Sequence, residues 1–136
     1  MLVRYIIAII KKTSEKKAID PTPQRPDGSR LTDAAMIRMD LSSLIRQVKQ
    51  EPPWENSDRN AMTLLKADHL RIVLVALHAG AEMREHTAEG IISVQVLEGE
   101  ILFRANQQTA QLTQGQMLAL HERIPHEVTA IQESVF

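Results

Sequence analysis

Two histidines are the residues of this chain best suited to chemistry. His86 lies in GAEMREHTAEGIISVQVLEG (residues 80–99), and His126 ends GQMLALHERIPH (residues 115–126). Each segment combines a glycine turn, a strand pattern and a histidine. An imidazole can coordinate a metal ion or exchange a proton near neutral pH. Two histidines presented from two strand hairpins would build a pocket in the mouth of a small β-barrel.

The strand that follows His86 predicts which side chains line that pocket. Ile92, Val94 and Val96 alternate with more polar residues and share one face, which should point into the barrel. His86 lies on the same face if the strand runs on without a bulge, and His126 begins a second alternating strand. The predicted pocket lining is His86, Ile92, Val94, Val96, His121 and His126.

From about residue 60 the hydrophobic pattern has a period of two, which is typical of strands. Short strands separated by turn residues every 8–12 residues or so favour an all-β barrel or sandwich. The segments with this pattern are AMTLLKA, LRIVLVAL, IISVQVLE, EILFR, QTAQL, MLALH, EVTAI and SVF.

One short helix is predicted before these strands, over residues 40–50. Asp40 is a suitable N-cap, or Ser42 if the helix begins later, and the pair Pro52-Pro53 should stop it. Trp54 is the only tryptophan and is expected to pack as a lid over the barrel edge. The apolar positions of the helix share one face: Leu41, Leu44, Ile45 and Val48.

The chain divides into an N-terminal arm and linker (residues 1–38) and a barrel domain (residues 39–136). Residues 1–10 are apolar but too few to span a bilayer, which takes about 20 residues. They are expected to form an extra strand or a loosely anchored arm. Residues 11–32 are charged and contain three prolines, which is typical of a solvated tether.

Composition excludes several classes of function. The chain has no cysteine, which rules out disulfides, thiolate metal sites and cysteine nucleophiles. The net charge of −1 argues against a nucleic-acid partner, and no membrane partner is expected. The absence of cysteine is compatible with the cytoplasm, which is the predicted location.

The first segment resembles the first motif of the cupin superfamily, in particular of its small single-domain members. Gly80, His86 and Gly99 match at the family's spacing. The chain departs from the motif at Ala88, where the family has a second histidine, and at Ile92, where it has a glutamate.

The second segment resembles the second cupin motif in the same partial way. Gly115 and His126 match, whereas His121, Arg123 and Ala130 replace a proline, a glycine and an asparagine. The resemblance covers about residues 60–136. It implies a double-stranded β-helix, the jelly-roll β-barrel of cupins, preceded here by one short helix.

The departures bear on metal binding. The family's metal sits on three histidines and one glutamate, and only His86 and His126 remain here. Catalytic zinc sites normally have three protein ligands, and iron oxygenases use two histidines and a carboxylate. A third ligand from His121, Glu89 or His78 would restore a site for Fe, Zn, Mn or Ni. Otherwise no cofactor is expected, and the two histidines hydrogen-bond to each other, to water or to the backbone.

Three functions are compatible with this pattern. The leading hypothesis is a binding module for a small, mostly apolar ligand held in the barrel pocket without a full metal site. The alternative is a metal-dependent cupin enzyme of the dioxygenase or isomerase type that uses His86 and His126 plus one further ligand. A structural role fits if side chains fill the barrel. The resemblance also implies a homodimer, because cupins usually cover their sheet edges by dimerising.

Overall fold

The structure of the chain is a computed structural model that describes residues 18–19 and 30–136. The expectations for the apolar run at residues 1–10 and for most of the linker lie outside these residues. The helices are α1 (Leu41–Val48) and α2 (Pro52–Asn56). The strands are β1 (Ala18–Ile19), β2 (Arg30–Leu31), β3 (Arg59–Lys66), β4 (Arg71–Leu77), β5 (Glu82–His86), β6 (Ile92–Gln95), β7 (Glu100–Ala105), β8 (Gln108–Thr113), β9 (Met117–Leu120), β10 (His126–Ala130) and β11 (Ser134–Val135).

The strands form antiparallel sheets that pack around a shared interior. The orders are β5-β10-β7-β8, β11-β4-β3 and β6-β9, with β1-β2 as a separate ladder. Neighbours in a sheet are often distant in sequence, as in β5 beside β10, which is the crossover arrangement of a jelly roll. The all-β jelly-roll prediction is confirmed.

The period-two segments after residue 60 each contain a strand, but one strand has no such pattern. Strand β5 reads EMREH and lies at the edge of its sheet, where most of its side chains meet solvent. An edge strand of this kind carries no apolar alternation for sequence reasoning to detect. The chain also leaves the ladder after His86 and re-enters one at Ile92, so the two residues lie on different strands.

Two turns show why the hairpins close where they do. Asn106 and Gln107 both have positive φ (50° and 63°), as a two-residue type I′ hairpin between β7 and β8 requires. Gly99 has φ +83°, and a Cβ there would collide with the Glu133 carbonyl oxygen and lie 2.8 Å from Ser134 Cα. The turn before β7 therefore needs glycine both for its conformation and for close packing.

The predicted helix forms, and a second one follows it. Asp40 caps α1 by accepting a hydrogen bond from the Ser43 N–H at 3.2 Å, as predicted. The expectation that Pro52-Pro53 stops this helix is wrong, because α1 already ends at Val48 and the prolines open α2. Proline is tolerated in a first helical turn, where its missing N–H would have no intrahelical partner. No helix within the described ranges is long and apolar enough to cross a membrane.

Strand β4 is buried on both faces and so separates two apolar clusters. The outer cluster lies between the helices and the β11-β4-β3 sheet and contains Val48, Trp54, Met62, Leu64, Leu74, Ala76 and Val135. The inner cluster fills the space between the sheets and contains Val73, Val75, Leu77, Ala81, Ala88, Ile92, Val94, Val96, Ile101, Phe103, Leu112, Val128, Ala130 and Phe136.

Candidate functional site

The two predicted histidines face each other across neighbouring strands. His86 ends β5, and its register partner is His126 at the start of β10. The ring centroids lie 4.3 Å apart with an interplanar angle of 71°, an edge-to-face contact. His126 is buried at 2% exposure, whereas His86 is half-buried.

Backbone hydrogen bonds fix the tautomer of both rings. His86 Nδ1 lies 2.5 Å from the Arg84 carbonyl oxygen, and His126 Nδ1 lies 2.8 Å from that of Ile124. A carbonyl can only accept, so each Nδ1–H donates and each neutral ring keeps its lone pair on Nε2. Both Nε2 atoms are buried and have no hydrogen-bond partner in the described part of the chain. The predicted backbone hydrogen bonds therefore use only one nitrogen of each ring.

The surroundings of His126 favour its neutral form. Burial lowers the pKa of His126 below its ordinary value, and the nearby His86 ring lowers it further, although the bond to Ile124 acts in the opposite direction. The Phe103 ring stacks on the His126 ring, with centroids 5.3 Å apart and an interplanar angle of 13°. The His126 ring is thus held in an apolar environment that favours its uncharged state.

The space between these rings is small. The cavity beside them has a volume of about 10 Å³, roughly the lower limit for one water molecule. Side chains fill most of the predicted interior pocket. Its lining is Met83, His86, Ile92, Val94, Phe103, His126, Val128 and Phe136.

The other residues predicted to line the pocket lie elsewhere. Val96 shares the inward face of its strand and is fully buried, but it packs in the inner cluster without lining the cavity. His121 borders a different space, described next. Of the six predicted lining residues, the structure therefore places His86, Ile92, Val94 and His126 together.

A larger cleft lies between the β7–β8 hairpin and β9, and is here called the β7–β9 cleft. Its volume is about 300 Å³. Phe103 borders both this cleft and the cavity beside the histidine pair. The cleft is lined by Phe103, Ala105, Asn106, Gln108, Thr109, Ala110, Leu118, Ala119, Leu120, His121 and Ile124. Sequence reasoning missed it because its walls come from two different sheets, whose juxtaposition no strand pattern encodes.

The candidate third ligands are not brought to the pair. The side chains of His121 and Glu89 are 84% and 77% exposed, and their nearest charged partners are Glu122 at 3.7 Å and Arg123 at 3.8 Å. His78 lies on the far side of the β11-β4-β3 sheet from the pair. Its Nε2 is 2.8 Å from the Trp54 carbonyl oxygen, and the two rings stack with centroids 3.5 Å apart.

Comparison with known proteins decides the fold family. Solved structures similar to this chain include a cupin superfamily protein of Desulfitobacterium hafniense (19% identity, TM-score 0.55, covering 57% of this chain and 71% of that one). An RmlC-like cupin of Desulfovibrio desulfuricans is 25% identical with a TM-score of 0.52, over 57% of this chain and 76% of that one. The chain has a cupin fold. No protein-family model matches the sequence, and no curated protein does.

A larger cupin structure is also similar. Salicylate 1,2-dioxygenase of Pseudoaminobacter salicylatoxidans is 18% identical with a TM-score of 0.62, over 85% of this chain but only 33% of the dioxygenase. Identity at this level shows a shared fold alone. The chain matches only about a third of the length of that dioxygenase.

The residues present do not fit the divalent metal set of the cupin motifs. Ala88 and Ile92 lie where two of the four ligands belong, and both are buried among apolar side chains. Among residues 18–19 and 30–136, no three His, Cys, Asp or Glu side chains are grouped so as to hold a metal ion. The cavity lining contains no carboxylate that could help neutralise a buried divalent ion.

Proposed function

We propose that this cupin is a binding module that takes a small, mostly apolar molecule in the β7–β9 cleft. The observation that carries the proposal is the difference in volume between the two spaces, about 300 Å³ in the cleft against about 10 Å³ between the histidines. Sites for small molecules commonly begin near 300 Å³. The ligand thus binds beside the predicted interior pocket rather than inside it.

The cleft lining indicates the chemistry of its ligand. Apolar side chains from both walls, among them Leu118, Leu120 and Ile124, would contact an aliphatic or aromatic body. Asn106, Gln108, Thr109 and His121 supply polar groups that would orient one or two polar substituents. A compact aromatic or aliphatic molecule carrying a hydroxyl or carboxyl group suits this combination.

The enzyme alternative has less support. It needs a third metal ligand beside His86 and His126, and the exposed positions of His121 and Glu89 do not supply one. No residue is therefore assigned a catalytic role.

Ligand titration tests the proposal. The probes are 8-anilinonaphthalene-1-sulfonate, followed by its fluorescence, and salicylate, which is named in one structural neighbour and is followed by saturation-transfer NMR. Ala110→Trp fills the cleft, whereas Ala61→Trp places the same side chain on an exposed position of β3. Since a filled pocket loses most of its contacts, we expect Ala110→Trp to weaken binding by about tenfold or more. Equal binding by the two variants, or no binding of either probe to the parent chain, would overturn the cleft as a site.

We also propose a homodimer, since cupin sheets have edges to cover and large hydrophobic side chains remain exposed. These are Met36, Leu41, Ile91, Met117 and Ile131. Light scattering on the full chain should give twice the chain mass. A chain beginning at Arg30 keeps Thr32, whose carbonyl accepts the Lys66 N–H at 2.8 Å, and should fold but dimerise more weakly. A monomeric full chain would refute the dimer.

A further inference from the structure

Arg71, the first residue of β4, is a buried cation without a partner in the described part of the chain. It is only 7% exposed, and arginine is almost never buried to this extent unless it is paired. Its guanidinium makes no hydrogen bond and no ion pair with the described residues. Burial alone lowers the pKa of Arg71, whereas the hydrogen bond to Asp58 raises the pKa of Arg59. Arg71 therefore lacks the neutralising group that Arg59 has.

A second cation lies directly opposite Arg71. Lys66 ends β3, and the two residues are register partners across the β3–β4 hairpin. Register partners project from the same face of a sheet, and like charges in these positions destabilise it. Lys66 is half-buried, and the one carboxylate of the intervening turn, Asp68, is exposed and acts on neither cation among the described interactions. Two uncompensated positive charges thus share one face at the same level of the sheet.

The pair lies at the end of the inner face of this sheet. Arg71 has the same parity along β4 as Val73 and Val75, which belong to the inner cluster. The register shift of the hairpin lies on β3 before Leu65, so β4 keeps this parity back to Arg71. The nitrogens of Arg71 are not among the fully enclosed unpaired atoms of the described chain, so its head still reaches the surface. An anion can therefore approach the guanidinium from solvent.

We propose that Arg71 and Lys66 form a binding site for a phosphate group. A guanidinium can hold two phosphate oxygens with two parallel N–H donors, and an ammonium group adds a compact second charge. A phosphate monoester carries a charge of about −1.5 to −2 near pH 7, so one phosphate group nearly neutralises both side chains. A carboxylate would leave one of the two charges uncompensated. The bound group is inorganic phosphate or the phosphoryl end of a small organic molecule.

This site is separate from the ligand proposed above. Neither Arg71 nor Lys66 lines the β7–β9 cleft, so the two proposals can fail independently. A nucleic acid is a less suitable partner, because its affinity comes from many phosphate contacts along a basic surface. The chain has a net charge of −1, and two cations at one hairpin suit a single phosphate group better.

Anion titration of the full chain tests the site. Inorganic phosphate, glycerol 3-phosphate and, as the monoanion comparison, acetate are added at neutral pH and constant ionic strength, and binding is measured by calorimetry and thermal unfolding. We expect one phosphate group per chain and a higher unfolding temperature, because a ligand of the folded state stabilises it. Tighter binding of glycerol 3-phosphate identifies an organic phosphate, and equal or weaker binding identifies phosphate itself. No saturable binding of either, or an equal response to acetate, would overturn the proposal.

Matched arginine variants locate the bound anion. Arg71→Gln removes the buried guanidinium, and Arg84→Gln makes the same change at an exposed position of β5. Because charge-assisted hydrogen bonds are among the strongest, Arg71→Gln should weaken phosphate binding by about tenfold or more. Arg84→Gln should leave it unchanged. Equal phosphate affinity in the two variants would rule out Arg71 as a ligand.

Two further measurements decide the matter if Arg71→Gln does not fold. Lys66→Gln removes the second charge from a half-buried position, so it should weaken phosphate binding, and unchanged binding would contradict the two-residue site. Tungstate, a heavy analogue of phosphate, needs no variant. Crystals of the parent chain soaked in tungstate should show an anomalous peak beside Arg71 and Lys66, and a peak found only elsewhere would refute the assignment.

Discussion

Buried polar side-chain atoms are hydrogen-bonded in the outer cluster, whereas two of them lack a partner in the histidine-lined interior. Beneath the helices, His78 Nε2–H donates to the Trp54 carbonyl, and Asn60 Nδ2 donates to the Val48 carbonyl at 2.9 Å and to the Glu51 carboxylate at 2.8 Å. Between the sheets, the Nε2 atoms of the two facing histidines have no such partner among the described residues. The first arrangement holds helices onto a sheet, and the second leaves two ring nitrogens buried without a hydrogen-bond partner among the described residues.

This difference has an energetic consequence. A buried polar atom without a partner typically costs about 1–3 kcal/mol, whereas a satisfied one contributes a small net stabilisation. The two unpaired Nε2 atoms therefore destabilise the interior, and burial of the surrounding apolar side chains must offset this free-energy cost. Buried unpaired groups are rare in native structures and often mark a functional site.

The largest effect is expected from a charge placed in the interior. Val94→Asp buries an unpaired carboxylate at a 3% exposed position against the cavity, which should cost about 4 kcal/mol or more and unfold the domain. Circular dichroism and urea titration measure the loss. Gln95→Asp is the control, since the next residue of the same strand is exposed. If both variants fold equally well, the assigned inward face of β6 is wrong.

The sequence predicts the inward face of β6 and the histidine pair, because both depend on local spacing. Alternation placed Ile92 and Val94 inside, and the motif spacing singled out His86 and His126. Strand β5 also has a bulge, because His126 is opposite His86 and Val128 is opposite Met83, so Met83 and His86 line the same cavity. This bulge could not be predicted from local spacing. Its position depends on which residue of β10 each residue of β5 meets, and EMREH has no apolar alternation to fix that register.

The β7–β9 cleft was beyond sequence reasoning for a different reason. Leu118 and Leu120 on β9 follow the same alternation as ordinary core residues, and so do the apolar positions of β7. They border a cleft because residues of a second sheet form its opposite wall, which is a property of sheet packing. Likewise, Pro52-Pro53 reads equally well as the end of one helix and the beginning of another.

A pair of histidine-to-leucine variants tests the contrast directly. His78→Leu leaves the Trp54 carbonyl without its donor and removes the stacked ring, so stability should fall by about 1–2 kcal/mol. His126→Leu loses the bond to Ile124 but also removes an unpaired buried nitrogen, and these two effects should nearly cancel.

Urea denaturation of both variants and the parent chain at neutral pH gives the comparison. His78→Leu should be the less stable variant. An equal or greater loss in His126→Leu would show that the Nε2 atom of His126 is satisfied in solution, for example by water, and would remove the distinction between the two regions.

The smallest effect is a change of stability with pH. The pKa of His126 is lower in the folded chain than its ordinary value of 6.5, mainly because the ring is buried. As the pH falls below about 6.5, the unfolded chain takes up a proton that the folded chain resists, so protonation favours unfolding. The stability that comes from keeping His126 uncharged is fully present above the pKa that His126 has in the unfolded chain. It is lost as the pH falls through the lower pKa that His126 has in the folded chain.

Thermal unfolding between about pH 7.5 and pH 5.5 measures this loss. The carboxyl of Asp58, whose pKa lies below its ordinary 3.8, does not titrate in that window. His86 is the other titratable side chain lining the cavity and is present in both chains compared. The midpoint of the parent should fall more steeply than that of His126→Leu, which has no ring to protonate. If the midpoints of the two chains fall in parallel, His126 is protonated as easily in the folded chain as in the unfolded one. The interior would then be more hydrated than its apolar lining implies.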